Sequence, residues 1–417
     1  MDESKSTYDL YGKSLAIDYE TQGDSWLHKL HECITEIYEN ITGWGASFEQ
    51  ASSTFIYPHW TYKPTAGAND ANGVQLNIVP LSEEEKKSVY VFLVANNEVA
   101  EQDREKWKTA INKAIDLLND DNPEFEWAAV IGFDGGNTEQ PVALRKKVSF
   151  GNVVIRPGRK PLKAVSSYGN QSMYGSQYTM AWPIIIEGKS KGYNWWAASN
   201  EAAQEVQDIA AVVSLSLETT WKVIHSPQTL PLGALQIPKL ADNEPPWNGP
   251  EKKLKSIPKW AVSVLDLISE EAELRQILRA YYQGLMMQSE HPSYAYVAFT
   301  GVIESIGKKI LGKKCPCCGS EYRNKKKYIA GIESVIPNGA ERKLLIDGYK
   351  LRRSTTAHEG SLHGFEHTGG SMVSIDMFAP RHPSVDFVFN DLRKIKDAAA
   401  KALSLQLRKA IKTNQTV

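Results

Sequence analysis

The chain has 417 residues, more than one hydrophobic core usually organises, and this length suits two domains. Hydrophobic residues make up 42% and charged residues 23%, and the net charge of −1 argues against a chain that coats nucleic acid along its whole surface. The polar, acidic first residues do not predict a signal peptide, and no run reaches the ~18 consecutive apolar residues of a membrane span. We therefore expect a soluble cytoplasmic protein with no membrane partner.

Residues 1–235 mix helix and strand signals. Apolar residues at helical spacing predict helices at 26–42, 101–118 and 201–224, the last with Asn200 as its N-cap. Short β-branched and aromatic runs predict strands at 74–79, 89–95, 128–133, 148–155, 181–186 and 193–198. This α+β pattern lacks the regular strand–helix alternation of a doubly wound fold.

Seven prolines between positions 227 and 258 predict a semi-rigid linker at 236–257, because proline suppresses helix and stiffens the chain. Beyond it the apolar spacing becomes helical and predicts helices at 269–290, 292–311, 326–335, 340–353 and 384–411. The expected organisation is an α+β sensor or recognition domain at 1–235, the linker, and an all-α helical bundle at 258–417.

The segment DGYKLRRSTTAHEG contains an Arg-x4-His motif formed by Arg353 and His358. Tyr349 precedes the arginine by one helical turn, Ser354 follows it, and Glu304 ends a Val-Ile-Glu element on the predicted helix upstream. This combination resembles the Apea-like branch of the HEPN superfamily, whose pattern is "alE" followed by "lY-x-x-RS-x-x-x-H". The resemblance covers about 155 residues, from 258 to 412, and does not extend to the N-terminal part.

The resemblance implies a HEPN-type helical bundle that acts as a metal-independent endoribonuclease without a cofactor. Arg353 and His358 would be the catalytic residues, supported in the active site by Ser354, Tyr349 and Glu304. It also implies a defence or toxin effector that cleaves host or phage RNA, and a homodimer whose two motifs meet at the interface. The alternative is a non-catalytic HEPN scaffold that binds RNA or protein.

The residue types of the motif fit RNA cleavage. A histidine, with an ordinary pKa of about 6.5, exchanges protons near neutral pH and can deprotonate the 2′-hydroxyl. Arginine keeps its proton, and its planar guanidinium suits the oxygens of a phosphorane. One histidine per chain leaves the second proton transfer unassigned, and a twofold-symmetric homodimer would supply a second pair.

The spacing of the motif bears on where its helix ends. In an ideal α-helix, positions five apart point about 140° away from each other. We therefore expect the motif to lie at a helix end, near Thr355, Thr356 and Gly360.

A basic segment leads into the motif. Residues 306–353 contain 13 Lys or Arg against 4 Asp or Glu, a local excess of +9. Such clustering attracts phosphates, although a solvated loop with incidental lysines would look the same. The residues expected to bind RNA are Lys325, Lys326, Lys327, Lys350 and Arg352.

Two further clusters suggest metal binding. Cys315 and Cys318 have the spacing of half a zinc knuckle, but structural zinc needs four ligands, and the chain has only four cysteines. We expect reduced thiols, with a zinc-stabilised adaptor as the alternative. His363 and His367 follow the motif and are expected to be exposed loop histidines, because they lie in a glycine-rich segment and not on one face of a helix as in the His-Glu-x-x-His metal motif.

Overall fold

The structure is a computed structural model. It describes residues 8–17, 19–38, 41–49, 59–66, 74–80, 88–95, 100–119, 122–133, 142–158, 162–165, 178–230, 253–312, 314, 316–364, 366 and 383–414. The chain divides into two compact units, residues 1–123 and residues 124–417.

The first unit contains a five-stranded antiparallel sheet with two helices packed on one face. Its elements are β1 (Tyr8–Leu15), α1 (Tyr19–Ile37), β2 (Ile41–Glu49), β3 (His59–Ala66), β4 (Val74–Pro80), β5 (Val89–Ala95), α2 (Glu101–Asp116) and a short 3-10 turn (Leu117–Asn119). The strand order is β1-β5-β4-β3-β2. In β4 the alternate residues Val74, Leu76 and Ile78 are buried, and they meet Trp26 and Trp107 of the two helices in one core.

The second unit begins with a mostly antiparallel β region. Its elements are β6 (Glu124–Phe133), β7 (Val142–Leu144), β8 (Val148–Phe150), β9 (Val153–Pro157), β10 (Leu162–Val165), β11 (Tyr178–Ala181), β12 (Pro183–Lys191), α3 (Trp195–Leu217), β13 (Trp221–Leu230) and β14 (Lys253–Lys255). The main sheet has the order β13-β6-β12-β9-β8, and all its pairs are antiparallel. Two smaller pairs are β10–β11, antiparallel, and β14–β7, parallel.

The rest of the second unit is helical. Its elements are α4 (Lys259–Glu270), α5 (Ala272–Met287), α6 (Pro292–Leu311), α7 (Asn324–Glu333), α8 (Ala340–Gly348), a first π segment (Tyr349–Ser354), α9 (Thr355–Glu359), α10 (Pro383–Asp386), a second π segment (Phe387–Leu392) and α11 (Arg393–Asn414). The predicted order, an α/β region with antiparallel sheets followed by a helical region, is confirmed in this coarse form.

The division between the units differs from the predicted boundary. Residues 208–215 of α3 are all buried, so this part of the helix is covered on every side. It packs against β12 and β13 and also against α4 and α5, and one apolar core contains residues of all of these elements. The sheet at 124–230 and the C-terminal helices therefore form one compact unit. Within the predicted linker, Lys253–Lys255 form a strand, and residues 236–252 lie outside the described residues.

Several local predictions differ from the structure around α3. The strand predicted at 193–198 is the start of this helix, because the Asn194 side chain accepts the Ala197 N–H at 2.9 Å and caps it, rather than Asn200. The helix ends at Leu217, where Glu218 adopts φ 54°. The strand predicted at 148–155 is a hairpin that turns at Gly151, with φ 54°. Helix α4 was not predicted.

Candidate functional site

Helix α6 provides the carboxylate of the site. Its N-terminal half begins with Pro292, which suits the first turn of a helix, and Glu304 lies in its C-terminal half. Two glycines bring α6 and α7 together: a side chain at Gly307 would overlap the Lys327 carbonyl oxygen, and one at Gly331 would overlap the Ile303 carbonyl oxygen. The close crossing fixes α6 beside the basic start of α7.

The first π segment provides the arginine, and α9 provides the histidine. Arg353 Nη1 lies 3.4 Å from His358 Nε2, at the long end of hydrogen-bond distances. The i→i+5 bonding of a π segment departs from the ideal α-helix, and such segments are often found at functional sites. Gly360, with φ 67°, ends the helix directly after the motif. The motif thus lies at a helix end, the end of α9, as we expected.

Arg353 is held from its other sides by Glu304 and Tyr349. Its Nε lies 3.2 Å from Glu304 Oε1, an ion-pair distance, but neither atom has a hydrogen-bond partner among the described residues. The two side chains are 18% and 12% exposed. The guanidinium also lies over the Tyr349 ring, 5.5 Å from its centroid, in cation–π geometry. His358, in contrast, is exposed, so a substrate can reach it.

Tyr349 is a buried hydrogen-bond donor in this arrangement. Its ring packs against that of Tyr328, with the centroids 4.7 Å apart. Burial first, and then Glu304, raise the pKa of Tyr349 to about 12, so the phenol keeps its proton and bonds to that carboxylate. Ser354 lies beside the motif, and its hydroxyl donates to the Tyr349 carbonyl oxygen at 3.4 Å. The structure thus brings together all five residues that the motif suggested.

His363 is not the exposed loop residue that we expected. It is half-buried, and its ring bonds to Arg352 and Thr355. A ring inserted between distant elements leaves no periodic signal in the sequence, which is why its role was missed. His367 lies outside the described residues.

The residues expected to bind RNA have different environments. Lys325, Lys326 and Lys350 are exposed, Lys327 is half-buried, and the Lys326 ammonium lies 4.7 Å from the centroid of the Tyr322 ring. The Arg352 guanidinium instead contacts Asp391, with Nε 3.1 Å from Oδ2.

The cysteine segment is only partly described. Cys315 lies outside the described residues, while Cys317 and Cys318 are exposed, with Cys318 Sγ 2.9 Å from Ser320 Oγ. Within the described part of the chain, no three His, Cys, Asp or Glu side chains are grouped as metal ligands.

Comparison of the chain with protein-family models, with curated proteins and with solved structures gives no match. None of the helices in the described ranges is both long and apolar enough to cross a lipid bilayer. The function must therefore be argued from the geometry of the arginine–histidine site.

Proposed function

We propose that the helical region at 258–417 is a metal-independent endoribonuclease of the HEPN type, with Arg353 and His358 as its catalytic residues. The observation that carries the proposal is the 3.4 Å contact between Arg353 Nη1 and His358 Nε2 beside an exposed surface. Arginine has no acceptor atom, so this contact requires a lone pair on Nε2. A neutral imidazole is the form that a general base needs, and its Nε2 becomes available to the 2′-hydroxyl when the Arg353 guanidinium turns to the phosphate.

The reaction would be an internal transesterification of RNA. His358 accepts the proton of a 2′-hydroxyl, the 2′-oxygen forms a bond to the adjacent phosphorus, and the bond from phosphorus to the 5′-oxygen breaks. The products are a 2′,3′-cyclic phosphate and a 5′-hydroxyl, and the departing 5′-oxygen takes up a proton. The Arg353 guanidinium donates to the phosphorane oxygens, and one such donor is commonly worth about 3 kcal/mol of barrier.

The proton for the departing oxygen needs a second acid. In a homodimer with twofold symmetry, the histidine of the other chain can donate it, because the same surface of both chains meets at the interface. The proposal therefore includes a homodimer through the C-terminal helices.

A non-catalytic scaffold is the second candidate, and the Glu304 carboxylate favours it. This carboxylate lies 3.2 Å from Arg353 Nε and offsets part of the positive charge that catalysis would use. In a scaffold, Arg353 would anchor an RNA phosphate or a partner carboxylate, and His358 would only add a hydrogen bond.

Cleavage of labelled single-stranded RNA in the presence of EDTA separates the two candidates. We expect the parent protein to form cyclic-phosphate ends, and the variants His358→Ala and Arg353→Ala to lose at least about a hundredfold in rate while keeping the helical circular dichroism signal. His225→Ala is the matched control, since this histidine is exposed on β13. RNA binding without cleavage by the parent protein, or cleavage by His358→Ala near the parent rate, contradicts the assignment.

A role as a defence or toxin effector belongs to the same proposal and rests on the resemblance to HEPN proteins. We expect expression of the parent chain to arrest growth of the host cell and expression of His358→Ala to leave growth unchanged. Growth arrest by both proteins would mean that any toxicity does not come from RNA cleavage at this site.

A further inference from the structure

His363 joins three parts of the fold next to the catalytic pair. Its Nδ1 lies 3.3 Å from Arg352 Nη1, in the first π segment, and its Nε2 lies 2.9 Å from Thr355 Oγ1, at the start of α9. Its ring packs against that of Phe387 in the second π segment, with the centroids 5.6 Å apart. Arg352 directly precedes Arg353 in the sequence, and Thr355 follows it by two positions. His363 therefore contacts residues on both sides of the catalytic arginine along the chain.

The hydrogen bonds define one protonation state of this ring. Arg352 is only a donor, so His363 Nδ1 accepts and Nε2 carries the proton. The Nε2–H then donates to Thr355 Oγ1, whose own hydrogen is directed to the carbonyl oxygens of Leu351 and Arg352, at 3.0 and 3.1 Å. The result is a continuous series of hydrogen bonds that runs from Arg352 through His363 and Thr355 back to the π segment.

The backbone around His363 is anchored to the start of α6. The N–H groups of His363 and Gly364 donate to Ser293 Oγ at 2.8 and 3.3 Å. The Glu366 carboxylate accepts the Ser293 N–H at 2.6 Å, as an anionic group does at a helix N-terminus. A side chain at Gly364 would overlap Pro292, so this approach requires glycine. Glu304 lies on the same helix as Ser293. These hydrogen bonds therefore link the segment around His363 to the helix that carries the carboxylate partner of Arg353.

The second π segment completes the network. Asp391 accepts from Arg352 Nε at 3.1 Å, and the Arg352 guanidinium lies 5.4 Å from the centroid of the buried Phe387 ring. Arg352 is therefore held by a carboxylate, an imidazole and an aromatic ring. Arg352 was expected to bind RNA, and in the structure its guanidinium makes these contacts within the chain instead.

We propose that neutral His363 is a positioning residue that holds the first π segment and thereby keeps Arg353 and His358 in contact. The inference rests on the proposed function, since it assigns His363 a task within that same site. His363 does not contact the catalytic pair directly, and it acts through Arg352 and Thr355.

Protonation of His363 would break the network. A proton on Nδ1 would face the Arg352 guanidinium, replacing an accepted hydrogen bond with a contact between like charges. The charged groups facing the ring are Arg352, Glu366 and Asp391. Burial first, and then the Arg352 charge, lower the pKa of His363 below its ordinary value, against the opposite effects of Glu366, a hydrogen bond to the Arg352 backbone and Asp391. The neutral contact is thus fully present above about pH 6.5 and is lost as the pH falls through the lowered pKa.

Steady-state kinetics test the proposal through two variants. Because misplacement by about 1 Å can cost a hundredfold, we expect His363→Ala to lower kcat by about 10- to 100-fold with little change in KM. His363→Gln keeps one donor and one acceptor group and does not titrate, so it should retain more of kcat and should lose less of it between about pH 7 and pH 5. His225→Gln is the control for an exposed histidine. An unchanged kcat in His363→Ala, or a fall in KM and kcat together with no difference between the two variants, overturns the inference.

A second measurement does not depend on cleavage. Hydrogen–deuterium exchange at residues 349–359 should become faster in His363→Ala than in the parent, and the NMR chemical shifts of the His358 ring should change, while His363→Gln stays closer to the parent. A parent protein without nuclease activity would overturn the proposed function, and these two readouts would then decide the role of His363. Unchanged exchange and unchanged chemical shifts of the His358 ring in His363→Ala would overturn the positioning role.

Discussion

At the scale of single residues, Arg353 has neighbours with opposite effects on its charge. Glu304 fixes the guanidinium but also offsets its charge, whereas His358 leaves the charge available to a phosphate. Since the Arg353 and Glu304 side chains are only 18% and 12% exposed, their attraction is screened less than that of a surface pair. The same carboxylate therefore positions the arginine and weakens its electrostatic pull.

The Glu304→Gln substitution separates these two effects. We expect KM for RNA to fall, because Arg353 then carries an uncompensated charge, and kcat to fall, because the guanidinium loses its fixed position. The free energy of unfolding should decrease by about 1–3 kcal/mol, the cost of leaving a largely buried polar group without its partner. Steady-state kinetics and urea unfolding measure these changes.

Glu333→Gln is the control for Glu304→Gln, since Glu333 is half-exposed and its ion pair with Arg342 is long, at 3.7 Å. Loss of this ion pair in Glu333→Gln should change the free energy of unfolding by less than about 1 kcal/mol. Equal KM values in Glu304→Gln and the parent would contradict the charge argument.

At the scale of elements, the end of α9 depends on a glycine. Gly360 has φ 67°, a conformation that strains residues with a side chain. Gly360→Ala should lower the free energy of unfolding by about 1 kcal/mol and loosen the turn that carries His358. Thermal unfolding and the cleavage rate measure both effects.

Gly301 offers the matched comparison. It lies inside α6, and a side chain there would meet open space. Gly301→Ala should therefore raise the free energy of unfolding by about 0.5–1 kcal/mol, because alanine favours the helix. A change of the same sign in both variants would contradict the role given to Gly360.

The contact between α3 and α5 predicts a pH dependence. Asp208 accepts from Arg275 and Arg279, each at 2.7 Å. Burial first, and then Asp208, raise the pKa of neighbouring Glu205 to about 7. The folded chain then binds more protons than the unfolded chain between about pH 4.5 and 7, so the stability that Glu205 contributes as a neutral acid is lost as the pH rises through about 7.

Glu205→Gln should remove this pH dependence and stabilise the protein above pH 7 by about 1–2 kcal/mol, less than the full pKa shift because the carboxyl is partly exposed. Denaturant unfolding at several pH values measures the slope. Glu201→Gln, one turn earlier and exposed, should change the slope much less, because the Glu201 charge has the weakest influence on the pKa of Glu205. The same slope in Glu205→Gln and the parent would refute the argument.

At the scale of the whole molecule, RNA binding should depend on charge near the site. The triple variant Lys325→Ala, Lys326→Ala and Lys327→Ala should bind single-stranded RNA more weakly at low salt. The slope of log affinity against log salt should flatten by up to ~2, since each phosphate contact contributes about −0.7. Cleavage at saturating RNA should change little. Fluorescence titrations at several salt concentrations measure the slope.

An equivalent basic run in the β region is the control for this triple variant. Arg145, Lys146 and Lys147 are all exposed, so their replacement by Ala makes the same change in net charge. If both triple variants flatten the salt slope equally, the binding is a general effect of charge and not of the segment at 325–327.

Assembly should depend on apolar residues near the site. Leu351 and Phe389 are 62% and 63% exposed, one in each π segment, and the Arg352–Asp391 ion pair joins the two segments. We predict that this surface contributes to the homodimer interface. Leu351→Glu or Phe389→Glu should raise the dimer Kd by about tenfold or more, since burying one such side chain contributes about 1.5–3 kcal/mol. Light scattering measures the dimer fraction.

Leu254→Glu, on β14 and 45% exposed, is the matched control and should leave the dimer unchanged. Mixing parent chains with His358→Ala chains should give heterodimers of sharply reduced activity. A strictly monomeric protein with full activity would rule out the shared site.

Local patterns along the chain were enough to predict many elements. The strands at Val74–Pro80 and Val89–Ala95 follow from alternating apolar residues, and α6 follows from helical spacing after a proline. Arg353, His358, Tyr349, Ser354 and Glu304 were predicted to belong together from the resemblance to the HEPN pattern, which is written in short stretches of the sequence.

Other features depend on contacts between residues far apart in the chain. The shared core of sheet and helices and the burial of His363 were not predictable, since no local pattern encodes them. His363 bonds to residues 8 and 11 positions earlier and packs near Ser293, 70 positions earlier. Such interactions exist only when the chain has folded, because the cost in conformational entropy of bringing these groups together is offset by burial of the core around them.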